Sequence, residues 1–477
     1  MKIIDAEEFD AYWKNSALPA KGDAADSSVE KTVKEIIQAI RAEGDAALRR
    51  YTLKFDRYCP LDFEIPLARA EEAMKDLEAR DPLLVEALEF SAENIRRFAL
   101  KQMEQFRDFE YENAGGLFTG QRVIPVERAA AYVPGGRFPL ISSSLMVLIP
   151  AFCAGVGEIC LVSPPGVSEQ GSNASASGEA LPAKGILAAA GIAAKICWRL
   201  HDLPGARKLR IFCAGGAQAI AALALGTETF PRCDIIAGPG NKYVAMAKRI
   251  LFGEAGIDLI AGPSDILVIS GADPSECNSV ESNSAELNSA ESSSTADLIA
   301  ADMLAQAEHD PDARARALVP GREAAQKLAQ ALEQRLRKLP TSAIAGESLE
   351  SGGLVIIYQD KAEAIRIANT IAPEHLELQV PDPDEWIPGL RNYGSLFAGP
   401  LSAEVLGDYS SGLNHTLPTL GSARFTGGLS VRHFLKTPTT LRCENRAGYI
   451  KALKAAETIA RAEGLAGHAE SAIARLP

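Results

Sequence analysis

Residues 209–241 have the sequence LRIFCAGGAQAIAALALGTETFPRCDIIAGPGN, in which two kinds of local pattern alternate. An apolar run at 209–214 leads into two glycines. These are followed by Gln218, by small or aliphatic residues up to 225 and by a second apolar run at 233–237. Short apolar runs bounded by turn residues predict buried strands, and the longer stretch between them predicts a helix. Strand, helix and strand in this order form the repeating unit of an α/β protein with a largely parallel sheet.

The same alternation extends over most of the chain after about residue 120. It predicts helices over 186–196 and 361–371, a helical tail over 447–464, and further strands over 129–133, 158–162, 257–261, 266–270, 354–358 and 395–398. Before that point, apolar residues at helical spacing over 29–51 and 82–98 predict a helical N-terminal region. The expected fold class is therefore α/β, with helical segments at both ends.

Two polar segments interrupt this pattern. Residues 165–183 are rich in Gly and Ser, and residues 272–297 contain three copies of a repeat that begins Asn-Ser. Neither segment carries enough apolar surface to offset the conformational entropy lost on ordering. Both are expected to be surface loops inserted between a strand and a helix.

The composition argues against several classes of function. The chain has 49 Lys and Arg against 62 Asp and Glu, a net charge of −13, and no basic run suited to a nucleic acid. No stretch approaches the ~20 apolar residues of a membrane span, and the N-terminus lacks the apolar region of a secretory signal. The eight cysteines show no paired spacing and are expected to be reduced thiols. We therefore expect a cytoplasmic protein without nucleic-acid or membrane partners.

Histidine is scarce, with six residues in 477, and four of the six lie in short polar motifs. The four are His309 in Gln-Ala-Glu-His-Asp, His375 in Pro-Glu-His-Leu-Glu, His415 after Gly-Asp-Tyr-Ser-Ser-Gly-Leu-Asn, and His468 after Glu-Gly-Leu-Ala-Gly. Imidazole beside carboxylates is typical of metal ligation and of proton transfer. For any one histidine taken alone, a structural role is the more frequent one.

Gln306 and His309 lie three residues apart in a predicted helix over 297–309 and therefore share one helix face. Two ligands do not complete a zinc site, which usually has four, and Asp408 and His468 are the obvious suppliers of the others. Such a set would form a mixed nitrogen and oxygen site. Without further support, a polar helix face is the simpler explanation of the first two residues.

Glu374 and His375 directly follow Pro373, which is expected to end the helix over 361–371. A carboxylate beside an imidazole supplies an acid and a base that work near neutral pH. The alternative is the start of a surface helix, where a glutamate interacts favourably with the helix dipole. The residues alone leave both interpretations open.

Glycine-rich turns follow several predicted strands, and residues 407–415 form a polar, glycine-bracketed segment that is typical of a binding loop. Ligands of open α/β sheets bind beyond the carboxyl ends of strands, where glycine allows a close approach of the backbone. A bound nucleotide is one explanation, although there is no G-x-G-x-x-G fingerprint, and a turn without a ligand is the other. The turns are 132–136, 215–219, 238–241 and 261–264.

Taken together, these motifs resemble those of the histidinol dehydrogenase family. Eight of them occur in the family's order over about residues 30–470: Tyr-Val-Pro-Gly-Gly, Gly-Gly-Ala-Gln-Ala, Gly-Pro-Gly-Asn, Ala-Gly-Pro-Ser, Gln-Ala-Glu-His, Ala-Pro-Glu-His-Leu, Gly-Asp-Tyr and Ala-Glu-Gly-Leu-x-x-His. One departure is Asp265, which stands where the family commonly has Glu and predicts a shorter contact there.

The resemblance implies two Rossmann-like α/β/α domains of the aldehyde dehydrogenase kind, with an incomplete nucleotide-binding fold. It also implies a homodimer in which a helical C-terminal tail reaches the partner's site. On this basis we expect an N-terminal arm over 1–28, a first α/β domain formed by 29–131 with 264–425, an NAD-binding domain over 132–263, and the tail over 426–477.

The resemblance further implies a zinc- and NAD-dependent enzyme that oxidises L-histidinol through L-histidinaldehyde to L-histidine. Carried over by motif, the zinc ligands are Gln306, His309, Asp408 and His468, and the catalytic acid/base pair is Glu374 and His375. The implied substrate contacts are the four ligands and His375 together with Ser264, His415 and Glu463. The implied NAD contacts are Tyr132, Gln218 and Asn241. Glu463 and His468 would act in the partner's site.

Two alternatives remain at this stage. An aldehyde dehydrogenase with a cysteine nucleophile is disfavoured because no cysteine lies in the polar motifs, although Cys213 is two residues before Gly215. A zinc-dependent binding protein without turnover is the other alternative, and the intact pair of Glu374 and His375 argues against it.

Overall fold

The structure is a computed structural model that describes residues 1–16, 24–57, 59–135, 140–166, 181–198, 208–271 and 295–477. Most of both predicted polar insertions lies outside the described residues. The described helices are α1 Ala6–Ser16, α2 Ala24–Glu43, α3 Asp45–Asp56, α4 Ala68–Arg80, α5 Pro82–Met103, α6 Ile141–Ala154, α7 Lys184–Trp198, α8 Gly216–Leu225, α9 Lys242–Leu251, α10 Thr295–Ala307, α11 Arg322–Leu336, α12 Ser342–Gly352, α13 Lys361–Ile371, α14 Glu404–Tyr409, α15 Ala447–Ala462 and α16 Ala466–Ile473.

The described strands form two six-stranded sheets and two small antiparallel ones. They are β1 Lys2–Asp5, β2 Glu64–Ile65, β3 Phe109–Ala114, β4 Leu117–Gln121, β5 Ile124–Pro125, β6 Arg128–Tyr132, β7 Glu158–Ser163, β8 Lys208–Cys213, β9 Ile235–Ala237, β10 Gly256–Ile257, β11 Asp265–Ser270, β12 Arg314–Val319, β13 Leu354–Ile357, β14 His375–Gln379, β15 Ser395–Ala398, β16 Leu435–Lys436 and β17 Thr439–Cys443. The predicted α/β class is confirmed. The strand predicted over 257–261 is wrong, because pairing stops at Ile257.

The first large sheet has the strand order β1-β13-β12-β11-β14-β15, and all its neighbours are parallel. The chain runs outward from β11 to β12 and β13, then returns to place β14 on the other side of β11. The strand order therefore reverses between β11 and β14, which is the kind of position where a crevice opens in such sheets.

The second large sheet has the order β10-β9-β6-β7-β8-β2, with only β2 antiparallel among its strands. Here the chain runs outward from β6 to β7 and β8, and β9 pairs on the opposite side of β6. The order reverses between β6 and β9. Three of the predicted glycine turns follow the carboxyl ends of strands in this sheet.

Both large sheets are covered by helices on their two faces, and the apolar contacts divide the chain differently from the predicted domains. The apolar sides of α2, α4 and α5 pack on the second sheet, where Ile36 and Ile95 join its core. Strand β1 and helix α1 belong to the first sheet, where Phe9 is buried. Residues 29–103 thus pack with the predicted NAD-binding domain, because their buried apolar side chains lie in the core of the second sheet. The prediction had grouped them with residues 264–425.

The C-terminal segment from residue 426 has a packed part and an exposed part. Leu429, Val431 and Phe434 are buried in the core of the second sheet. Strand β17 then joins β4 and β3 in an antiparallel sheet, and α15 packs against α16. Large apolar side chains remain exposed there, including Leu441 and Ile459. Among the described helices, none has both the length and the apolar character required to cross a bilayer.

Candidate active site

Asp265 and Glu374 stand at the amino ends of neighbouring strands, at the point where the order of the first sheet reverses. The backbone N–H of Asp265 donates to Glu374 Oε2 at 3.0 Å, and the N–H of Glu374 donates to Asp265 Oδ1 at 2.9 Å. Both side chains are buried. These reciprocal bonds fix the Glu374 carboxyl group against the strand beside it. The shorter contact predicted for Asp265 stays a prediction.

Burial raises the pKa of Glu374 to about 8. The positive charge of His375 opposes this rise, and the negative charge of Asp265 adds to it. A carboxyl group that titrates near neutral pH can exchange its proton during a reaction. The interpretation of Glu374 and His375 as the start of a surface helix is wrong, because His375 is the first residue of the buried strand β14.

His375 lies between a backbone carbonyl and two carboxylates. Its Nδ1 is 3.3 Å from the carbonyl oxygen of Asp265, so Nδ1 carries the hydrogen of the neutral ring. Its Nε2 is 3.5 Å from Glu404 Oε1 and 3.5 Å from Asp408 Oδ1, and no well-formed hydrogen bond satisfies it among the described residues. The ring therefore points Nε2 toward the two carboxylates of α14.

The carboxylates around His375 control its protonation. Burial by itself would lower the pKa of His375, but the charges of Glu374, Asp408 and Glu404 outweigh burial and raise it to about 10. Burial also works to raise the pKa of Asp408, but His375 outweighs burial there and lowers it. The pair thus favours an imidazolium beside a carboxylate when no other cation is close.

Glu404 is a site residue that the sequence analysis missed. It lies one helical turn before Asp408 in α14 and is 2% exposed. Burial raises its pKa to about 8, with the charge of Asp408 adding to the effect. The available signal was its position four residues before Asp408 of the Gly-Asp-Tyr motif, since residues four apart share a helix face.

Gln306 and His309 contact each other at the end of α10, and the charge of His309 acts on Asp408. Gln306 is fully buried in the last turn of α10, and its Nε2 is 3.5 Å from His309 Nδ1. The helix ends at Ala307, so the predicted extension to His309 is wrong, but the backbone N–H of His309 still donates to the carbonyl of Gln306. Gln306 Oε1 has no hydrogen-bond partner among the described residues.

A buried amide oxygen without a partner is costly unless a ligand completes it. Gln306 Oε1 therefore fits a cation, together with His309 and with Asp408, whose pKa the charge of His309 helps to lower. His375, Glu404 and Asp408 form a second set of three possible ligand atoms, all within 4.8 Å of one another. Asp408 is common to both sets.

His415 connects this cluster to the second sheet. Its Nδ1 is 3.0 Å from the carbonyl oxygen of Asp408, and its Nε2 is 3.0 Å from Ser143 Oγ at the start of α6. Burial lowers the pKa of His415, which favours a neutral ring. With both ring nitrogens in contact inside the chain, His415 holds the end of α14 in place. Its predicted contact with substrate stays a prediction.

The predicted NAD contacts gather at the carboxyl ends of the second sheet. The hydroxyl of Tyr132 accepts a hydrogen bond from Gly216 N–H at 3.1 Å, and Gln218 is buried with its Nε2 unpaired among the described residues. Asn241 Oδ1 caps α9 by accepting from two backbone N–H groups. Gly238 has φ +114°, and a Cβ there would lie 2.0 Å from Tyr132 O, so only glycine fits.

The sequence pattern of the histidinol dehydrogenase family matches residues 20–476. The chain belongs to the histidinol dehydrogenase family. The histidinol dehydrogenase of Aquifex aeolicus is 40% identical, and that of Thermus thermophilus is 41% identical, each with 98% of both chains covered. A crystal structure of histidinol dehydrogenase from Elizabethkingia anophelis has a TM-score of 0.81 at 31% identity, covering 99% of this chain and 97% of the other.

Membership of the histidinol dehydrogenase family makes this chain an oxidoreductase of histidine biosynthesis. The buried cluster of Glu374, His375 and Asp408 places three titratable groups side by side. The likeness to aldehyde dehydrogenases that the family resemblance implied stays a prediction.

Three other residues were predicted to contact the substrate: Ser264, Glu463 and His468. They lie at the edge of the cluster or apart from it. Ser264 precedes β11, and its carbonyl accepts from Arg314 N–H at the same sheet edge. Glu463 and His468 are exposed on the C-terminal helices, and no described contact joins them to the cluster. Within one chain, Gln306 contacts His309, and the charge of His309 acts on Asp408, whereas His468 lies outside this group.

Proposed function

We propose that this protein oxidises L-histidinol through L-histidinaldehyde to L-histidine, using two NAD⁺ per substrate and one zinc ion per subunit. The observation that carries the proposal is the buried acid/base pair Glu374 and His375, with Asp408 Oδ1 3.5 Å from His375 Nε2. Several buried polar atoms of this region, including His375 Nε2, Glu404 Oε1 and Gln306 Oε1, have no partner among the described residues. A purely structural cluster would leave no reason for this many unpaired buried polar atoms in one place.

The zinc ion would be held by Gln306, His309 and Asp408, with His468 supplied by the partner subunit. When bound, zinc would supply positive charge that holds the imidazole and amine of the substrate and offsets the carboxylate charges around His375. The nitrogen and oxygen donors of this set suit zinc. His375 is a weaker candidate for a zinc ligand, because the proposed reaction needs its Nε2 as the base.

His375 Nε2 is the group that accepts the proton of the substrate hydroxyl in the first oxidation. Its Nδ1 is oriented by the carbonyl of Asp265, which fixes the tautomer that presents Nε2 as an acceptor. Burial excludes water that would otherwise exchange with the transferred proton. The same nitrogen takes the proton of the aldehyde hydrate in the second oxidation.

Glu374 is the group that removes a proton from water as the water adds to the aldehyde. Its Oε2 accepts from Asp265 N–H and is 4.0 Å from His375 Nδ1, so the two groups stand side by side. A carboxyl group with a pKa of about 8 is a stronger base than an exposed glutamate. Two oxidations of one substrate need a hydration step between them, and Glu374 serves that step.

NAD⁺ would lie at the carboxyl ends of the second sheet, near Tyr132, Gln218 and Asn241. When bound, it would accept a hydride in each oxidation. Support comes from the reversal of strand order between β6 and β9 and from the glycine at 238, which lets the backbone approach closely. The buried, unpaired Nε2 of Gln218 is available to a ligand.

A homodimer with shared active sites completes the proposal. Glu463 and His468 are exposed in the single chain, and exposed apolar side chains lie close to them in sequence, including Ile459 and Leu465. Apolar residues of this size on exposed helices favour a partner surface. We propose that the tail of each subunit delivers these two polar residues to the site of the other.

A route through a cysteine thiolate has less support. Cys213 lies at the end of β8, where burial raises its pKa well above the ordinary value, and a thiol of this kind is a poor nucleophile. Burial also raises the pKa of Cys59. Replacing Cys213 with Ala is expected to leave the dehydrogenase rate within about 3-fold of the starting protein.

The stoichiometry of NADH tests the proposed function. Purified protein should form two NADH per L-histidinol consumed, with L-histidine as the product. The matched variant Glu374→Gln should form one NADH and accumulate the aldehyde, because hydration fails. Binding of L-histidinol without any NADH would overturn the proposal in favour of a binding protein. One NADH from the unmodified protein would overturn the two-step route.

A further inference from the structure

Arg316 is a buried cation on β12 that the catalytic pair does not include. Its Nη1 donates to Asp265 Oδ2 at 3.0 Å, and both side chains are more than nine-tenths buried. The guanidinium also lies over the ring of Trp13 from α1, 5.4 Å from its centre. An arginine this deeply buried is costly unless a partner requires it.

Asp265 uses its two carboxylate oxygens for different residues. Oδ2 accepts from Arg316, and Oδ1 accepts from the backbone N–H of Glu374. The backbone N–H of Asp265 in turn donates to Glu374 Oε2. A continuous path of three polar contacts therefore runs from the guanidinium of Arg316 to the carboxyl group of Glu374.

We propose that Arg316 is a positioning residue for Glu374, which acts through Asp265 and is held in place by Trp13. The inference rests on the proposed function, in which Glu374 activates water for the second oxidation. Arg316 touches neither substrate nor cofactor in this arrangement. Its task is to fix the rotation of the Asp265 carboxylate, and thereby the orientation of Glu374.

Charge is the physical reason for this task. Asp265 is an anion beside Glu374, and its charge contributes to the raised pKa of Glu374. Without a cation on its outer side, the Asp265 carboxylate would be buried next to a second carboxyl group with no compensation. The two carboxyl groups would then move apart, and this displaces Glu374.

The charged and polar surroundings of Arg316 come from three elements. Asp265 faces it from β11, Arg314 lies two residues earlier on β12, and Tyr12 lies on α1 beside Trp13. Of these, Asp265 gives the only described hydrogen bond to the Arg316 side chain. Arg314 borders the same small cavity without a described bond to Asp265, so it serves as a matched control.

The test measures the two half-reactions separately. Arg316→Met should lower kcat for L-histidinaldehyde by about 100-fold, the loss expected when a catalytic group is misplaced by about 1 Å. Oxidation of L-histidinol to the aldehyde should fall by less than about 5-fold, because His375 serves that step. Arg316→Lys should recover most of the aldehyde rate, and Arg314→Met should keep both rates near those of the starting protein.

A double-mutant cycle with Asp265→Asn shows whether Arg316 acts through Asp265. If it does, Arg316→Met should cost much less in the Asp265→Asn background than in the starting protein. Additive losses would overturn the path through Asp265. Equal losses in both half-reactions would overturn the positioning role and indicate general damage to the fold. Melting temperature and zinc content are measured for every variant.

The variant Glu374→Gln separates failure of this inference from failure of the proposed function. If Glu374→Gln abolishes the aldehyde step and Arg316→Met does not change it, only the role of Arg316 is overturned. If Glu374→Gln leaves the aldehyde step intact, the role of Glu374 in the proposed function is overturned, together with the inference that rests on it.

Discussion

His375 Nε2 and Glu404 Oε1 lie 3.5 Å apart, although the two residues belong to different elements, strand β14 and helix α14. Asp408 Oδ1 lies at the same distance from the same nitrogen. Two carboxylates thus lie against one imidazole nitrogen, and of the two only Asp408 was predicted to be a zinc ligand. We propose that Glu404 raises the basicity of His375 and that Asp408, not Glu404, holds the metal.

Replacing Glu404 with Gln is expected to shift the pH dependence of turnover to lower pH. The charge of Glu404 contributes to the raised pKa of His375, so its removal lowers that pKa. Because His375 must be unprotonated to act as a base, activity then rises at lower pH, by roughly one to two pH units. The pH profile of kcat/KM measures the shift. Glu347→Gln, which removes an exposed charge on α12, should leave the profile unchanged.

A buried carboxyl group near the site is expected to make stability depend on pH. Glu377 is fully buried, and burial, with Asp302 adding to the effect, raises its pKa well above the usual value. Such a group stabilises the fold below its unfolded pKa, and this contribution is lost as pH rises through the folded pKa. The contribution of Glu377 to the unfolding free energy of the metal-free protein should therefore fall as the pH rises above the usual pKa of a glutamate, about 4.3.

Glu377→Gln tests this dependence. The amide cannot ionise, it keeps the oxygen that accepts from Gln379, and it can donate to Asp302. At pH 8 the variant should be more stable than the starting protein by about 1 to 3 kcal/mol, with a smaller difference at pH 5. Urea unfolding of the metal-free protein at both pH values measures this. A variant that is equally destabilised at both would contradict the expectation.

Local signals in the sequence are strong enough to predict several elements, but they do not show what covers them. Helix α13 and strand β15 agree with the prediction to the residue. The helix has clear signals at both ends, because Asp360 caps its start and Pro373 prevents its continuation. Strand β14 was missed. Its alternate residues His375, Glu377 and Gln379 are polar, and only the covering helices make that face buried.

The site shows the same limit. Motif spacing predicted that Gln306 and His309 lie side by side, because their contact is local to one helix end. Arg316 could not be predicted, since Arg and Ala alternate at the start of β12 in the manner of a solvated strand. Its burial follows from Trp13 and Asp265, which lie far away in sequence. The carboxyl-end rule for open sheets also fails here, because Glu374 and Asp265 stand at amino ends.

Removing the oxygen of Gln306 is expected to release the metal. Gln306→Leu keeps the side chain's bulk but deletes the unpaired Oε1, so zinc affinity should fall by at least about 100-fold, since even the outer partners of metal ligands contribute roughly 10- to 100-fold. Gln306→Glu, which retains an oxygen donor, should keep one zinc per subunit. Metal content after dialysis against a graded chelator measures both. If Gln306→Leu binds zinc normally and Glu404→Gln does not, the ligands are His375, Glu404 and Asp408.

Active sites shared between subunits are expected to complement one another. A subunit carrying Glu374→Gln lacks its own water-activating group, and a subunit carrying His468→Ala lacks the ligand that its tail would deliver to the partner. In a mixed dimer, one site receives both defects and the other receives neither, so activity should return to about half per dimer. Each variant alone should be inactive in forming L-histidine.

The mixed dimers can be isolated by giving the two variants different affinity tags and purifying on both in turn. Formation of L-histidine from L-histidinol then measures recovery, because Glu374→Gln alone can still form NADH in the first oxidation. A mixture of His309→Ala with Glu374→Gln is the matched control, because both residues belong to the same chain's predicted site. That control places one defect in each site and should stay inactive. If the tail instead folds back into its own site, the His468→Ala mixture will be as inactive as the control.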